Sequence, residues 1–360
     1  MHNLYFLCVF ALLPTTWLSG QSASFAQFYA HRPSLNPAYV SATAGLECSA
    51  GFRRQWGQIQ DGLQTSFAAV SLRTCALPLG FGVYASDVRE SFFNYRQQEA
   101  GVQLGGFIGA PKRWSLHGAL QAGVGQQRVD YDQLVFSGQL DPVFGIQGAA
   151  DPFWQQDGSR MQSFDLGGGL VFRSSARLGR REWPWSAGAA VHHAGGSRNV
   201  GFENPDYRRP PRITTHFAAT APVSGQYMRQ SVLYLHLLGR LEWESALQRS
   251  TAGVIAQYEG AHLGLLYQYN QGPLNLGNTN ALTLTLGLDF KLGDADCTLQ
   301  YGFDGALSGL DHTASGGAHE LMLNFRFDKA CIFSGLGSNA RSRGRTSCFK
   351  FAGKGYRGFY

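Results

Sequence analysis

The sequence predicts an all-β fold: a transmembrane, antiparallel up-and-down β-barrel of about fourteen strands, with both termini on the periplasmic side. Three observations predict it. First, segment after segment alternates apolar and polar residues with a period of two, which sends the two sets to opposite faces of a strand. In Gly317 to Phe327, the clearest case, Leu321, Leu323, Phe325 and Phe327 occupy one parity and Glu320, Met322, Asn324 and Arg326 the other. Second, the greasy parity of the clean strands carries essentially no charge, as lipid requires; a midplane Lys or Arg costs roughly 2–4 kcal/mol. The opposite parity is rich in Gln, Asp, Arg, Glu and His. That is too polar for the dry side of a sandwich but suits a wet lumen. Third, the connections alternate in length, as in bacterial barrels with short periplasmic turns and long outer loops.

Taken in order, residues 1–20 read as an export signal, with an apolar core from Leu4 to Leu13, then Pro14 and a small-residue exit at Ser19-Gly20. Residues 21–44 are expected to form an ordered, extended segment, periplasmic or plugging the lumen. Two prolines and Asn36-Pro37 exclude a regular helix or central strand there, and the aromatics serve as packing anchors.

The barrel is expected over 45–327, with strands at 45–56, 63–74, 79–87, 94–108, 114–129, 161–174, 183–193, 212–221, 230–243, 250–259, 261–270, 280–292, 296–304 and 318–327. In the strand 280–292, Leu282, Leu284, Leu286, Leu288, Phe290 and Leu292 oppose Thr283, Thr285, Gly287, Asp289 and Lys291. In 230–243, Leu233, Leu235, Leu237, Leu241 and Trp243 oppose His236, Arg240 and Glu242. Tight connections fall around 76–78, 111–113, 222–227, 259–260 and 293–294, while 130–160 and 194–211 are the longest. The sheet has to close, because an open edge in lipid leaves backbone groups unpaired. No internal run reaches the roughly 18 apolar residues that a spanning helix needs.

Composition fits this architecture. Only 15% of residues are charged against a typical quarter, with 46 Gly and 13% aromatics, which suits short strands, tight turns and interfacial girdles. The net charge of +6 is localised in a tail, 328–360. It holds Lys329, Arg341, Arg343, Arg345, Lys350, Lys354 and Arg357 against Asp328 alone, seven minus one, so the first 327 residues are formally neutral. The tail reads as a solvated appendage, a docking segment for an acidic partner, or a contact with anionic lipid. Nucleic acid is set aside as a partner, since no recognised motif accompanies the charge. Of six cysteines, Cys8 lies in the leader, and the spacings of the rest match no zinc module. Cys331 and Cys348 are candidates for a disulfide closing a small loop within the tail.

Few residues suggest chemistry, and no catalytic, cofactor or metal site is expected. His192-His193 resemble ligands, but adjacent strand residues face opposite ways and cannot share a metal. Gly167-Gly168-Gly169 lacks the Lys-Ser/Thr of a phosphate loop and reads as a small-residue strand or bend. No Gly-x-Ser-x-Gly signature supports a Ser-His pair on the wall. Arg53-Arg54-Gln55-Trp56 reads in two ways: a solvated Arg pair beside an interfacial Trp, or an ion-pair network fixing a plug or loop. The loop from Asp141 to Trp154 repeats an Asp-Pro-hydrophobic-aromatic pattern and reads as a solvated outer loop or a partner surface.

Three motifs in order carry a family resemblance. Gln27-Phe28-Tyr29-Ala30 with Leu35-Asn36-Pro37-Ala38-Tyr39, then Arg53-Arg54-Gln55-Trp56 followed by a strand from Thr65, then the closing Ala318-His319-Glu320-Leu321 to Phe327 together resemble the PorP/SprF family of Bacteroidota. The resemblance covers 25–327 and implies a non-enzymatic outer-membrane barrel of the type IX secretion and gliding machinery. Its implied partners are outer-membrane lipid, a secreted cargo or adhesin C-terminal domain, and periplasmic secretion components. A porin or transporter of small hydrophobic solutes is the first alternative, and a barrel lipid hydrolase the second.

Overall fold

The computed structural model describes residues 24–43, 45–58, 62–74, 77–91, 94–110, 114–130, 140–141, 143, 145–146, 160–178, 181–195, 197–200, 208–223, 233–272, 279–307 and 316–327. The leader, Cys75, most of the loop 131–159 and the whole tail with its basic residues, Cys331 and Cys348 lie outside them.

Fourteen strands form the wall: β1 Leu46–Gln55, β2 Leu63–Arg73, β3 Leu79–Glu90, β4 Tyr95–Ala110, β5 Trp114–Val129, β6 Arg160–Leu178 and β7 Arg181–His192; then β8 Arg212–Val223, β9 Leu233–Glu244, β10 Leu247–Tyr258, β11 Ala261–Gln271, β12 Thr279–Leu292, β13 Ala295–Ala306 and β14 Ala318–Phe327. Each pairs antiparallel with its neighbours in sequence, and β14 returns to β1 from Leu46↔Phe327 to Gln55↔Ala318, so the sheet is closed and has no edge. Every expected strand is present. The largest boundary difference is at β6, which runs well past residue 174. Short pieces at Ser197–Val200 and Arg208–Arg209 extend the wall beside β6, where Arg198 pairs with Phe164.

Alternation divides the wall as the sequence predicts. Outward leucines such as Leu284, Leu286 and Leu288 are 53, 58 and 58% exposed on the protein surface. The inward parity buries Gln103, Gln121, His236, Thr283, Thr285 and Glu320. Among the described residues no helix is long and apolar enough to cross a membrane. The fold crosses as a closed sheet, which satisfies its backbone groups internally.

Two ends can be told apart. At one end, Glu259 and Gly260 at φ 47° and 88° form a tight hairpin, and Gly293 at φ 60° another. β1 begins and β14 ends at this turn end. The other end carries the two longest connections, between β5 and β6 and between β7 and β8. The length rule has exceptions, among them the four-residue loop-end connection 91–94 between β3 and β4. β9 and β10 are joined at the loop end by Ser245 and Ala246 alone, with Ser245 at φ 54°. At the turn end, the connection from β8 to β9 spans 224–232, longer than the tight 222–227 expected.

Candidate functional site

Residues 24–43 lie inside the barrel. Arg240 Nη1 donates to Ser24 Oγ and to the Phe25 carbonyl, 3.3 Å each, near the Glu244 end of β9 and therefore toward the loops. At the other extreme, a Cβ on Gly80, close to the start of β3, would sit 2.3 Å from the Val40 carbonyl oxygen. Only glycine lets the two backbones approach so closely. The segment thus descends the lumen from the loop end to the turn end, where β1 starts. This corrects two expectations. The segment is not extended, and its first described residue points toward the loops rather than lying at the turn end.

Its local structure follows from Asn36 and the prolines. The segment coils into two single helical turns, α1 Arg32–Leu35 and α2 Tyr39–Ala42. Pro33 sits in the first turn of α1, where its missing N–H has no intrahelical role. Asn36 separates the turns; its Oδ1 accepts the Ala38 N–H at 2.9 Å, redirecting the chain, and the Pro37 carbonyl accepts the Val40 N–H at 3.1 Å.

Three polar anchors hold the segment. At the first, Glu320 of β14 accepts the Ala26 N–H on Oε1 at 2.6 Å and the Gln27 N–H on Oε2 at 2.9 Å. Arg53, directly opposite in the β1–β14 register, donates to the same Oε1 and lies 2.6 Å from Asp304 Oδ2. Arg53 and Glu320 are 5 and 1% exposed. Two carboxylates against one guanidinium leave an excess negative charge, and the two plug N–H groups face it. At the second anchor, Asn36 Nδ2 faces the Leu170 and Ala189 carbonyls at 3.0 and 3.1 Å and His216 Nε2 at 3.1 Å. Gly169, from the glycine triplet, makes room: its Cβ would lie 2.1 Å from Asn36 Oδ1. At the third, Ser41 Oγ lies 3.1 Å from the Gly106 carbonyl and 3.2 Å from His117 Nδ1, and Arg173 Nη1 donates to the Ala42 carbonyl at 2.7 Å.

Between the anchors, Phe25, Phe28, Tyr29, Leu35, Tyr39 and Val40 pack on Phe67, Val171, Leu238, Ile255, Leu266 and Met322 of the inner wall. Each large apolar side chain contributes roughly 1.5–3 kcal/mol on burial. Among the described residues the lumen holds a cavity of about 100 Å³ on the loop side and one of about 50 Å³ beside Glu47, His262 and Asp289. At roughly 10–15 Å³ per water these hold several waters each.

Gly169→Ala and Asn36→Ala are each expected to loosen the plug, by about 1–3 kcal/mol for Asn36→Ala. The double variant should be less destabilised than the sum, because the methyl added at position 169 then meets no amide. Thermal midpoints of the four proteins form the cycle that checks this. His31, at 1% exposure, is held neutral by burial, its pKa lowered to about 3. Its seated form binds fewer protons than a released His near 6.5, so its contribution is complete above pH 6.5 and fades as pH falls toward 3. Protease access to 24–43 should therefore rise on acidification, and His31→Asn should flatten the part of that rise between about pH 6.5 and 4.5.

The remaining sequence candidates are placed as follows. Arg53 and Arg54 sit on adjacent positions facing opposite sides: Arg53 joins the lumen network and Arg54 the outer wall, so they are not a solvated pair. Gln55 ends β1, registered with Ala318 and Leu63. Trp56, at φ 56° and 41% exposed, donates its N–H to the Gly317 carbonyl at 2.8 Å. His319 faces outward, with Nδ1 2.7 Å from the Tyr301 hydroxyl, and Phe327 ends β14 on the same face. His192 and His193 are not on opposite faces. β7 ends at His192, His193 turns at φ 58°, and both are buried in the lumen. His193 Nδ1 lies 2.9 Å from Asp165, and His192 Nε2 is 3.5 Å from the Leu35 carbonyl. Among the described residues no group of three His, Cys, Asp or Glu is placed to hold a metal, and Cys48 and Cys297 are free thiols.

A family model described as "Type IX secretion system membrane protein PorP/SprF" matches residues 18–325. The chain belongs to this family. No curated protein gives a significant match. Among solved structures, the Pseudomonas putida toluene transporter TodX is 10% identical to this PorP/SprF barrel, over 87% of this chain and 100% of that one, at a TM-score of 0.44. A Pseudomonas aeruginosa FadL homologue is 12% identical over 81% of this chain and 92% of that one, at 0.38. CdiB from Acinetobacter baumannii is 8% identical at 0.41, and this chain spans 78% of itself but only 59% of CdiB. None of these likenesses bears on function.

Proposed function

We propose that this PorP/SprF protein is a closed, non-catalytic docking barrel of the type IX secretion machinery in the outer membrane. Its turn end and its basic tail face the periplasm, while the segment 24–43 enters the lumen from the loop end. Its loops and outer wall hold or anchor a secreted surface protein, through a C-terminal domain or adhesin, and its basic tail contacts periplasmic secretion components. The observation that carries the reading is the lumen filled by the chain's own residues 24–43, which suits a scaffold and not a porin. The family supplies the machinery. The tail supplies charge for an acidic partner.

The test has two arms. Purified protein in liposomes is expected to pass neither ions nor small hydrophobic solutes, and crosslinked pull-downs from the native outer membrane should recover secretion components. Deleting 328–360 should leave the barrel assembled and remove the periplasmic partners from the pull-down. Steady conductance or solute uptake by the intact chain would overturn the docking reading in favour of a transporter. Recovery of every partner after the deletion would remove the tail from it.

A further inference from the structure

The outer wall is not uniform around the barrel. On β1–β6 the outward residues stack in register into rows. The row nearest the loops runs Arg54↔Gln64, Gln64↔Arg89, Arg89↔Arg96 and Arg96↔Arg128. Beneath it lie Ser66, Asp87, Gln98, Gln126 and Gln162. The next row is small, Ala50, Ala68, Ala85 and Ala100, leading to Val124 and Phe164. Then come Val70, Val83 and Val102. Rows are two residues apart, roughly 5 Å along the barrel axis at ordinary strand tilt.

The opposite wall has nothing comparable. Among the described residues the outward parity of β8–β13 carries no Lys or Arg, and at the loop end β8 and β9 present Ile213 and Trp243. The basic row is also self-repelling, since like charges directly opposite in a sheet are unfavourable. Asp87 bridges Arg89 and Arg96 at 2.7 Å each, with the two Arg side chains 56 and 44% exposed. It is the one acidic side chain on the outward parity of β2–β5 among the described residues. Three Arg (Arg89, Arg96 and Arg128) minus one Asp leave two positive charges on three adjacent strands. An anion of matching width is the complement. Just below, the alanine row floors an open groove of about 910 Å³ between Ser66, Gln98 and Gln126 above and Val124 and Phe164 at the side.

We propose that this face binds a phosphorylated glycolipid of the outer leaflet. Its phosphates lie on Arg89, Arg96 and Arg128, which span about 10 Å across three strands. Gln98, Gln126 and Gln162 take the sugar hydroxyls, and one acyl chain lies along the alanine trough. A single glycerophosphate would use one Arg and offers no sugar ring to the amide row. The assignment rests on the orientation proposed above, with the loop end outward.

The experiment is a native mass-spectrometric titration of the detergent-solubilised full chain with bisphosphorylated lipid A, the same lipid with its phosphates removed, and phosphatidylglycerol. The intact chain should retain the bisphosphorylated lipid selectively. Arg89→Gln/Arg96→Gln/Arg128→Gln should weaken it by about ten-fold or more, and the triple Lys variant by roughly three-fold at most, because charge survives without the bidentate fork. Ala85→Trp, which fills the trough and keeps every charge, should weaken it by about ten-fold and serves if the triple variant fails to fold. Equal binding by a folded Gln variant, or unchanged binding by Ala85→Trp, would overturn the assignment. So would phosphatidylglycerol displacing lipid A at equal concentration, which would point to a periplasmic-leaflet lipid and leave the docking reading standing.

Discussion

Replacing Glu320 with Ala is expected to unseat residues 24–43 while the barrel stays closed, at about 3–5 kcal/mol. The size follows from what the carboxylate does. It accepts two consecutive N–H groups of the plug and the Arg53 guanidinium. Without it, the Ala26 and Gln27 donors are left buried without their acceptor, at roughly 1–3 kcal/mol each. Arg53 retains Asp304, so it is not an isolated charge, which caps the loss. The mirror variant should be no milder: Arg53→Met leaves Glu320 and Asp304 facing each other without their cation. Glu320→Gln should fall between, since its carbonyl accepts one N–H while its amide hydrogens meet the other donors. The measurement is protease cleavage within 24–43 against urea, with the shifted migration of unheated barrel reporting that the wall remains folded. If Glu320→Ala left cleavage of the segment unchanged, the aromatic packing alone would be holding the plug.

The wall was legible because the membrane imposes a simple rule. Outward positions in the middle of the clean strands had to be apolar, and the period of two assigned residues to faces without further information. The same rule separates Arg53, which shares parity with Glu47, Ser49 and Gly51, from Arg54, which shares it with Phe52. The path of residues 24–43 was not legible from their own sequence. Two four-residue turns have too little length for a periodic signal, and their conformation is imposed by Asn36 and the surrounding wall. The trace was present elsewhere. Phe67, Val171, Leu238, Ile255, Leu266 and Met322 are apolar residues on the polar, inward parity of their strands. In a water-filled channel such positions are anomalous; together they outline the footprint of an internal segment.

His192-His193 shows where alternation stops. The two rings were expected on opposite faces, but the strand ends between them, and the left-handed backbone at His193 returns its side chain to the lumen. The glycine triplet is a related case. A run of small residues in a strand reads as weakness, yet Gly169 is the space that admits Asn36. Both were readable as local features, and both needed the partner segment to acquire a purpose.

Deleting residues 24–43, with the flanking residues joined, is expected to convert a closed barrel into an open one. The intact chain should give no steady current in a planar bilayer, because residues 24–43 are packed and hydrogen-bonded inside its lumen. With the segment gone, the inward wall can hydrate. Gln103, Gln121, His117, Thr283 and Arg173 are polar, and water replaces the plug carbonyls that Arg173 and Arg240 contacted. The inward apolar side chains become wetted. At roughly 25 cal/mol per Å² of apolar surface, their exposure makes the deletion variant clearly less stable than the intact chain. The two effects are separable, since conductance reports on the lumen and the thermal midpoint on the lost core. A synthetic peptide of residues 24–43 should reduce the current when added to the open barrel, and one carrying Asn36→Ala should do so less well, since it lacks the amide that reads the Leu170 and Ala189 carbonyls. A folded deletion variant that conducts no better than the intact chain would mean that the wall or the loops close the barrel, and the segment would then be a stabilising core and not its gate.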